Sequence, residues 1–104
     1  MSLKPLFRNA RIVGSSFRDD HAKAIYAALK VADPVDFELE PSNEHDPYAV
    51  KVIADGVHVG YIPREMSAVI YATGVGEHIQ AVVSEVGAKG SVMITVGLLD
   101  GEDA

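Results

Sequence analysis

Cysteine is missing from this chain. Disulfides and thiolate metal sites are therefore excluded, and thiol usage leaves no mark of the redox compartment. Long apolar runs are missing too. No segment approaches the roughly 18 uninterrupted apolar residues that read as a membrane span. The opening MSLKPLFRNARIV lacks the apolar core of a signal peptide. These absences predict a soluble, cytoplasmic protein with no membrane association. Positive charge is scarce: 9 Lys and Arg stand against 15 Asp and Glu, a formal charge of −6. Non-specific duplex binders draw most of their affinity from neutralising phosphate over a basic surface. Broad coating of nucleic acid is not expected here, whereas a small site with a few cations and aromatics stays open. Repeats, low-complexity stretches and linkers are lacking, as are a nucleotide-binding glycine loop, Ser/His/Asp logic and paired carboxylates. His21, His58 and His78 fall on separate elements without metal-ligand spacing, and three consecutive residues such as Glu44, His45 and Asp46 rarely make a ligand set alone. No cofactor, metal or catalytic residue is expected, and the chain does not read as an enzyme.

What is present suits one domain spanning 1–104, with a core over about 10–98 and an acidic tail at 99–104. The 48% hydrophobic content is ordinary for a globular fold. A strand is expected through Arg11 to Phe17, with Phe7, Ile12, Val13 and Phe17 at least half buried. Asp19 or Asp20 then caps a helix over His21–Lys30, whose Ala22, Ile25, Ala28 and Leu29 share one side. Asp33-Pro34 stops it. Val35 to Glu40 alternates apolar and acidic residues as a half-buried strand does.

The most informative stretch runs from Leu39 to Met66, LEPSNEHDPYAVKVIADGVHVGYIPREM. A polar, turn-prone cluster (Asn43 to Tyr48) leads into a strand over Ala49–Ala54. An Asp55-Gly56 reversal follows, then a strand over Val57–Ile62 and a helix start at Pro63-Arg64-Glu65. Val50 and Val52 are expected to face inward and Lys51 outward. Met66, Val69 and Ile70 stripe the second helix, which ends near Gly74. Strands over about His78–Val86 and Ser91–Leu98 close the pattern, with Val92, Ile94, Val96 and Leu98 on one face. About six short strands and two helices without βαβ alternation predict an α+β fold, a small barrel. The polar cluster and the Pro63 turn set cationic, aromatic and carboxylate groups at the rim of a hairpin, which reads as a binding rim.

Glu40, Pro41, Asn43, Asp46, Ala49, Val50 and Val52, followed by Val59, Gly60, Tyr61, Ile62, Pro63, Arg64 and Glu65, resemble the motif of the HIRAN domain family. That motif reads E-P-x-N-x-x-D-x-x-A-V-x-V, then V-G-Y-[IL]-P-[RK]-E. Ile12-Val13-Gly14 and Phe17 resemble the family's first strand, and the likeness covers roughly 10–98. It implies an OB-like (SH3-like) barrel with helical insertions and a module that holds the 3′ end of single-stranded DNA, linked to repair and replication. On that likeness Phe17 and His45 would sandwich the terminal base, His45 standing where DNA-binding relatives carry Tyr. Asp46 would accept from the 3′-hydroxyl and disfavour a 3′-phosphate. Asn43 would add a polar contact, and Tyr61 and Arg64 would hold phosphate. A relative carries Lys where this chain has Pro63, so no phosphate role passes to Pro63. A helicase or other DNA-processing protein is the partner such a module would serve.

The residues themselves leave blander readings open. Phe17 and Tyr61 could finish a core, although rim aromatics stack on bases at about 1–3 kcal/mol each. Asn43 and Asp46 are typical of Asx turns. Arg64 could be a solvated charge or a partner for Glu65 or Glu40. A protein-interaction or regulatory module using the same rim is the alternative of a different class, its acidic surface suiting a basic partner.

Overall fold

The computed structural model describes residues 2–73 and 79–100. In chain order these form β1 (Ser2–Arg11), a 3-10 turn (Ser15–Phe17), α1 (Asp20–Ala27), β2 (Pro34–Leu39), β3 (Val50–Ala54), β4 (Val57–Tyr61), α2 (Arg64–Thr73), β5 (Ile79–Val86) and β6 (Val92–Asp100). Six antiparallel strands lie in the order β1-β6-β5-β2-β3-β4. The class is α+β. The expected barrel needs correcting, because the sheet is not closed. β2 meets β5 over only two residue pairs, and β1 and β4 remain its edges. One isolated bridge crosses between them, where Val13 N donates to Tyr61 O (2.9 Å) and Tyr61 N donates to Val13 O (2.8 Å).

That bridge follows from how the chain leaves β1. Ile12 N still donates to Val92 O at 3.0 Å, holding the chain against β6. One residue later it turns to β4, and Gly14 adopts a φ of 76°, which a side chain would strain. The strand expected over Arg11–Phe17 is therefore not formed: the ladder stops at Arg11 and a 3-10 turn replaces the rest. The strand runs from Ser2 instead. Register shifts between Pro5 and Phe7 and between Phe7 and Ala10, with Asn9 at φ 53°, break the two-residue period that would have revealed it.

Alternation builds the core elsewhere. Val50 and Val52 of β3, Val59 of β4 and Val96 of β6 are wholly buried, and Ala81, Val83, Val92 and Ile94 lie beside them. Each Val or Ile so buried contributes about 1.5–3 kcal/mol. The Leu98 side chain, expected on that face, lies outside the described residues. Asp55 (φ 53°) and Gly56 (φ 75°) make the two-residue turn of the β3–β4 hairpin, with both central residues left-handed as a primed turn requires. Gly60 answers a different demand. A Cβ there would stand 2.5 Å from Ile12 Cγ2 and 2.7 Å from Val13 O, so glycine lets the crossing chain approach β4.

Asp19 caps α1 by accepting from Ala22 N at 2.9 Å. The helix ends at Ala27, short of Lys30, because Asp33 Oδ2 accepts from Lys30 N at 2.8 Å and Ala32 takes a φ of 80°. Ala22 and Leu29 are buried, Ile25 is half-buried and Ala28 is exposed. At α2, Pro63 O accepts from Met66 N and Ser67 N. Ile70 is wholly buried as expected, but Val69 is 43% exposed, and Ser67 is wholly buried as well, its hydroxyl donating to Arg64 O at 3.0 Å. The expected helix end at Gly74, the strand start at His78 and the tail at 101–104 lie outside the described residues. Among the described residues no helix is long and apolar enough to cross a membrane.

Candidate functional site

The loop between β2 and β3 is shaped by its own side chains. Asn43 Oδ1 accepts from His45 N (2.8 Å) and Asp46 N (2.9 Å), while its Nδ2 donates to Glu40 Oε1 (2.7 Å). Asp46 Oδ1 accepts from Tyr48 N at 2.9 Å. Both residues thus act as Asx-turn formers, each stabilising the backbone two or three residues on. The Tyr48 ring meets Tyr71 edge-on, with centroids 5.3 Å apart.

Glu40, at the end of β2, ties the loop to the hairpin. Its Oε1 accepts from the Tyr61 hydroxyl (2.9 Å) as well as from Asn43, and Lys51 Nζ stands 3.3 Å from its Oε2. The Asn43 hydrogen bond leads the causes that hold the Glu40 carboxyl below its ordinary range; bonds from Tyr61 and Lys51 add to it against partial desolvation. Burial first, and then the bond to Glu40, push the Tyr61 phenol up. Lys51 is raised chiefly by its bond to Glu40. Next to it, His58 meets the Tyr61 ring edge-on at 4.7 Å, and Arg18 Nε donates to His58 O at 3.1 Å, pinning the end of the 3-10 turn to β4. Burial, helped by the Arg18 charge, lowers the His58 imidazole.

Between the loop, β4 and the start of α2 lies a cavity of about 320 Å³, lined by Val13, Asn43, His45, Asp46, Ala49, Tyr61, Ile62 and Arg64. That is the lower end of the range for small-ligand sites, about 300–1,000 Å³. Five of the six residues expected at the site line it: Asn43, His45, Asp46, Tyr61 and Arg64. The sixth, Phe17, is not among the lining residues. It stands 89% exposed at the end of the 3-10 turn, so it does not finish a core. Arg64 pairs with neither Glu40 nor Glu65. Its Nε lies 4.0 Å from Asp46 Oδ2 and its side chain is 79% exposed, a pair worth about 0–1 kcal/mol.

Sequence reasoning missed two contributions. Glu40 belongs to the motif, yet its acidic place in an alternating strand gave no sign that it gathers Asn43, Tyr61 and Lys51. Val13, Ala49 and Ile62 form the apolar lining, and of these Val13 reaches the cavity only through its bridge to Tyr61. Chemically, the cavity offers a carboxylate oxygen not engaged by the loop, a loosely held guanidinium and an apolar surface. It can take a ring bearing a hydroxyl, with an anionic group beside it.

The protein is thus an open α+β sheet with a small polar-rimmed cavity at a hairpin mouth. The HIRAN domain family model matches residues 8–95, and the chain belongs to that family. HIRAN domains are generally binding modules, associated with DNA. No curated protein sequence matches the chain. Among solved structures, it is similar to a protein from Lactobacillus plantarum, with a TM-score of 0.74 and 20% identity over 91% of this chain and 93% of that one. It is also similar to the HIRAN domain of human HLTF, with a TM-score of 0.61 and 20% identity over 86% of this chain and 74% of that one.

Proposed function

We propose that this domain binds free 3′-hydroxyl ends of single-stranded DNA in the 320 Å³ cavity, holding the end without altering it. One observation carries the reading: Asp46 lines the cavity with its Oδ1 engaged by the loop, while its Oδ2 has Arg64 Nε 4.0 Å away. A fixed carboxylate accepts from a hydroxyl and repels a phosphate in the same place. The terminal base lies against the apolar lining beside His45, and the exposed Phe17 closes on it from the 3-10 turn. Arg64 meets the adjoining phosphate. Tyr61 assists less directly, because its proton is already given to Glu40. Asn43 works mainly by holding the loop, since both of its amide atoms are bonded within it. In the cell such a module, cytoplasmic and folded as one unit, would bring a helicase or other DNA-processing partner to free ends in repair or replication.

Fluorescence anisotropy at low salt tests this with a short oligonucleotide ending in a 3′-hydroxyl or a 3′-phosphate. The hydroxyl form should bind at least tenfold tighter, and Asp46→Ala should abolish the difference. Equal weak binding of both ends would reduce the interaction to charge alone. No binding of either would move the reading to a protein partner at the same rim, for which the exposed Phe17 and Tyr48 offer anchors.

A further inference from the structure

A second and larger cleft, of about 630 Å³, lies beside the first, with Val13 lining both. We infer that it is a phosphodiester track continuing the 3′-end site, so that the domain grips several nucleotides rather than a terminus alone. This rests on the reading of the smaller cavity as a 3′-end site.

The lining of the larger cleft carries the argument. Its polar side chains are Arg11, Ser15, Ser16, Tyr26, Lys89 and Ser91, with no carboxylate among them. In a chain with 15 acidic and 9 basic residues, a surface free of acid that gathers two cations departs from the average. Of the other cations near the site, Lys51 sits between Glu38 and Glu40, Arg18 Nε donates to a carbonyl, and Arg64, loosely held near Asp46, belongs to the smaller cavity. Arg11 and Lys89 are exposed and make no ion pair among the described residues. Hydroxyl donors supplement them. Tyr26 Oη accepts from Val92 N at 3.0 Å, which leaves its own proton to give.

Three elements bring these groups together. Arg11 ends β1, Ser15 and Ser16 belong to the 3-10 turn, and Lys89 and Ser91 flank the tip of the β5–β6 hairpin. Gly87 N donating to Ser91 O (2.8 Å) and Gly90 N donating to Gly87 O (3.0 Å) fix that tip. Phe17, the exposed aromatic, follows directly on Ser15 and Ser16. A strand whose last base occupies the smaller cavity would pass Phe17 and lay its next phosphates along a run of cations and hydroxyls. Cationic grooves beside stacking aromatics are how single strands are held without sequence preference.

The test is anisotropy with oligothymidylates of two, four and eight nucleotides, each ending in a 3′-hydroxyl, on the wild type and on Arg11→Gln/Lys89→Gln. Both side chains are exposed, so the variant should melt like the wild type. Wild-type affinity should climb at least tenfold from dinucleotide to octanucleotide. In the variant it should stay near the dinucleotide value, and the slope of log K against log salt should flatten by about 0.7 for each phosphate no longer neutralised. A dinucleotide bound as tightly as an octanucleotide overturns the track and leaves the end site standing. So does a length gain that survives in the variant. Failure of every oligonucleotide to bind removes both readings. An oligoglutamate that displaces the octanucleotide as well as an equally charged oligonucleotide does would make the cleft a peptide site and overturn the assignment.

Discussion

At the level of single residues, Glu40 and Asn43 do more for the site than their exposure suggests, because they build the loop that presents Asp46. Removing Asn43 as Asn43→Ala deletes three hydrogen bonds, two to backbone amides. With each such bond worth about 0.5–1.5 kcal/mol, the variant should lose roughly 1.5–4.5 kcal/mol in urea unfolding. It should also blunt 3′-end discrimination with Asp46 intact. Glu40 carries a pH signature. Its carboxyl titrates below the ordinary 4.5 in the folded chain, so between the two values the unfolded chain binds more protons and stability rises with pH. The contribution is complete above 4.5 and disappears as pH falls through the folded value. Glu40→Gln should flatten the acid limb of a plot of urea midpoint against pH. An unchanged limb would place the acid sensitivity in another carboxylate. The sequence showed Asp46 and His45 as candidates, but not that Asn43, whose Oδ1 accepts from their amides, donates in turn to Glu40, since side chains three residues apart in a turn meet only once the turn is made.

Among the elements, the hairpin β3–β4 and the two helices were legible and the first strand was not. Val50 and Val52 alternate with half-buried neighbours along β3, and Val59 joins them from β4 across a left-handed two-residue turn, with one register shift between Val52 and Ile53. β1 hides because Pro5 and Asn9 accompany two register shifts, so its apolar residues fall out of period. The seam from Val13 to Tyr61 joins residues that are distant in sequence, and only the space left by Gly60 discloses it. Gly60→Ala should therefore hurt more than an alanine on a strand surface. The added methyl meets Ile12 and a carbonyl, overpacking of a kind that costs about 1–3 kcal/mol. Equilibrium unfolding should show that loss, and amide exchange at Val13 and Tyr61 should accelerate beyond the global change. At α1, Asp19→Ala removes the cap on Ala22 N and should cost about 1 kcal/mol with the binding site unaffected.

For the whole molecule, charge sets the terms of binding. A net −6 opposes any polyanion at long range, so affinity must come from the local arrangement of Arg64, Asp46 and the apolar lining. Intact duplex without a free single-stranded end should show no measurable binding by anisotropy at physiological salt, whereas a single strand with a 3′-hydroxyl should. The open sheet adds a consequence of its own. The two hydrogen bonds between Val13 and Tyr61 wall the cavity and also occupy the Tyr61 end of the β4 edge, where a free strand would invite a neighbouring copy. Loosening of the pocket and exposure of a sticky strand are thus one event, and variants selected for a roomier site should be those that polymerise on standing.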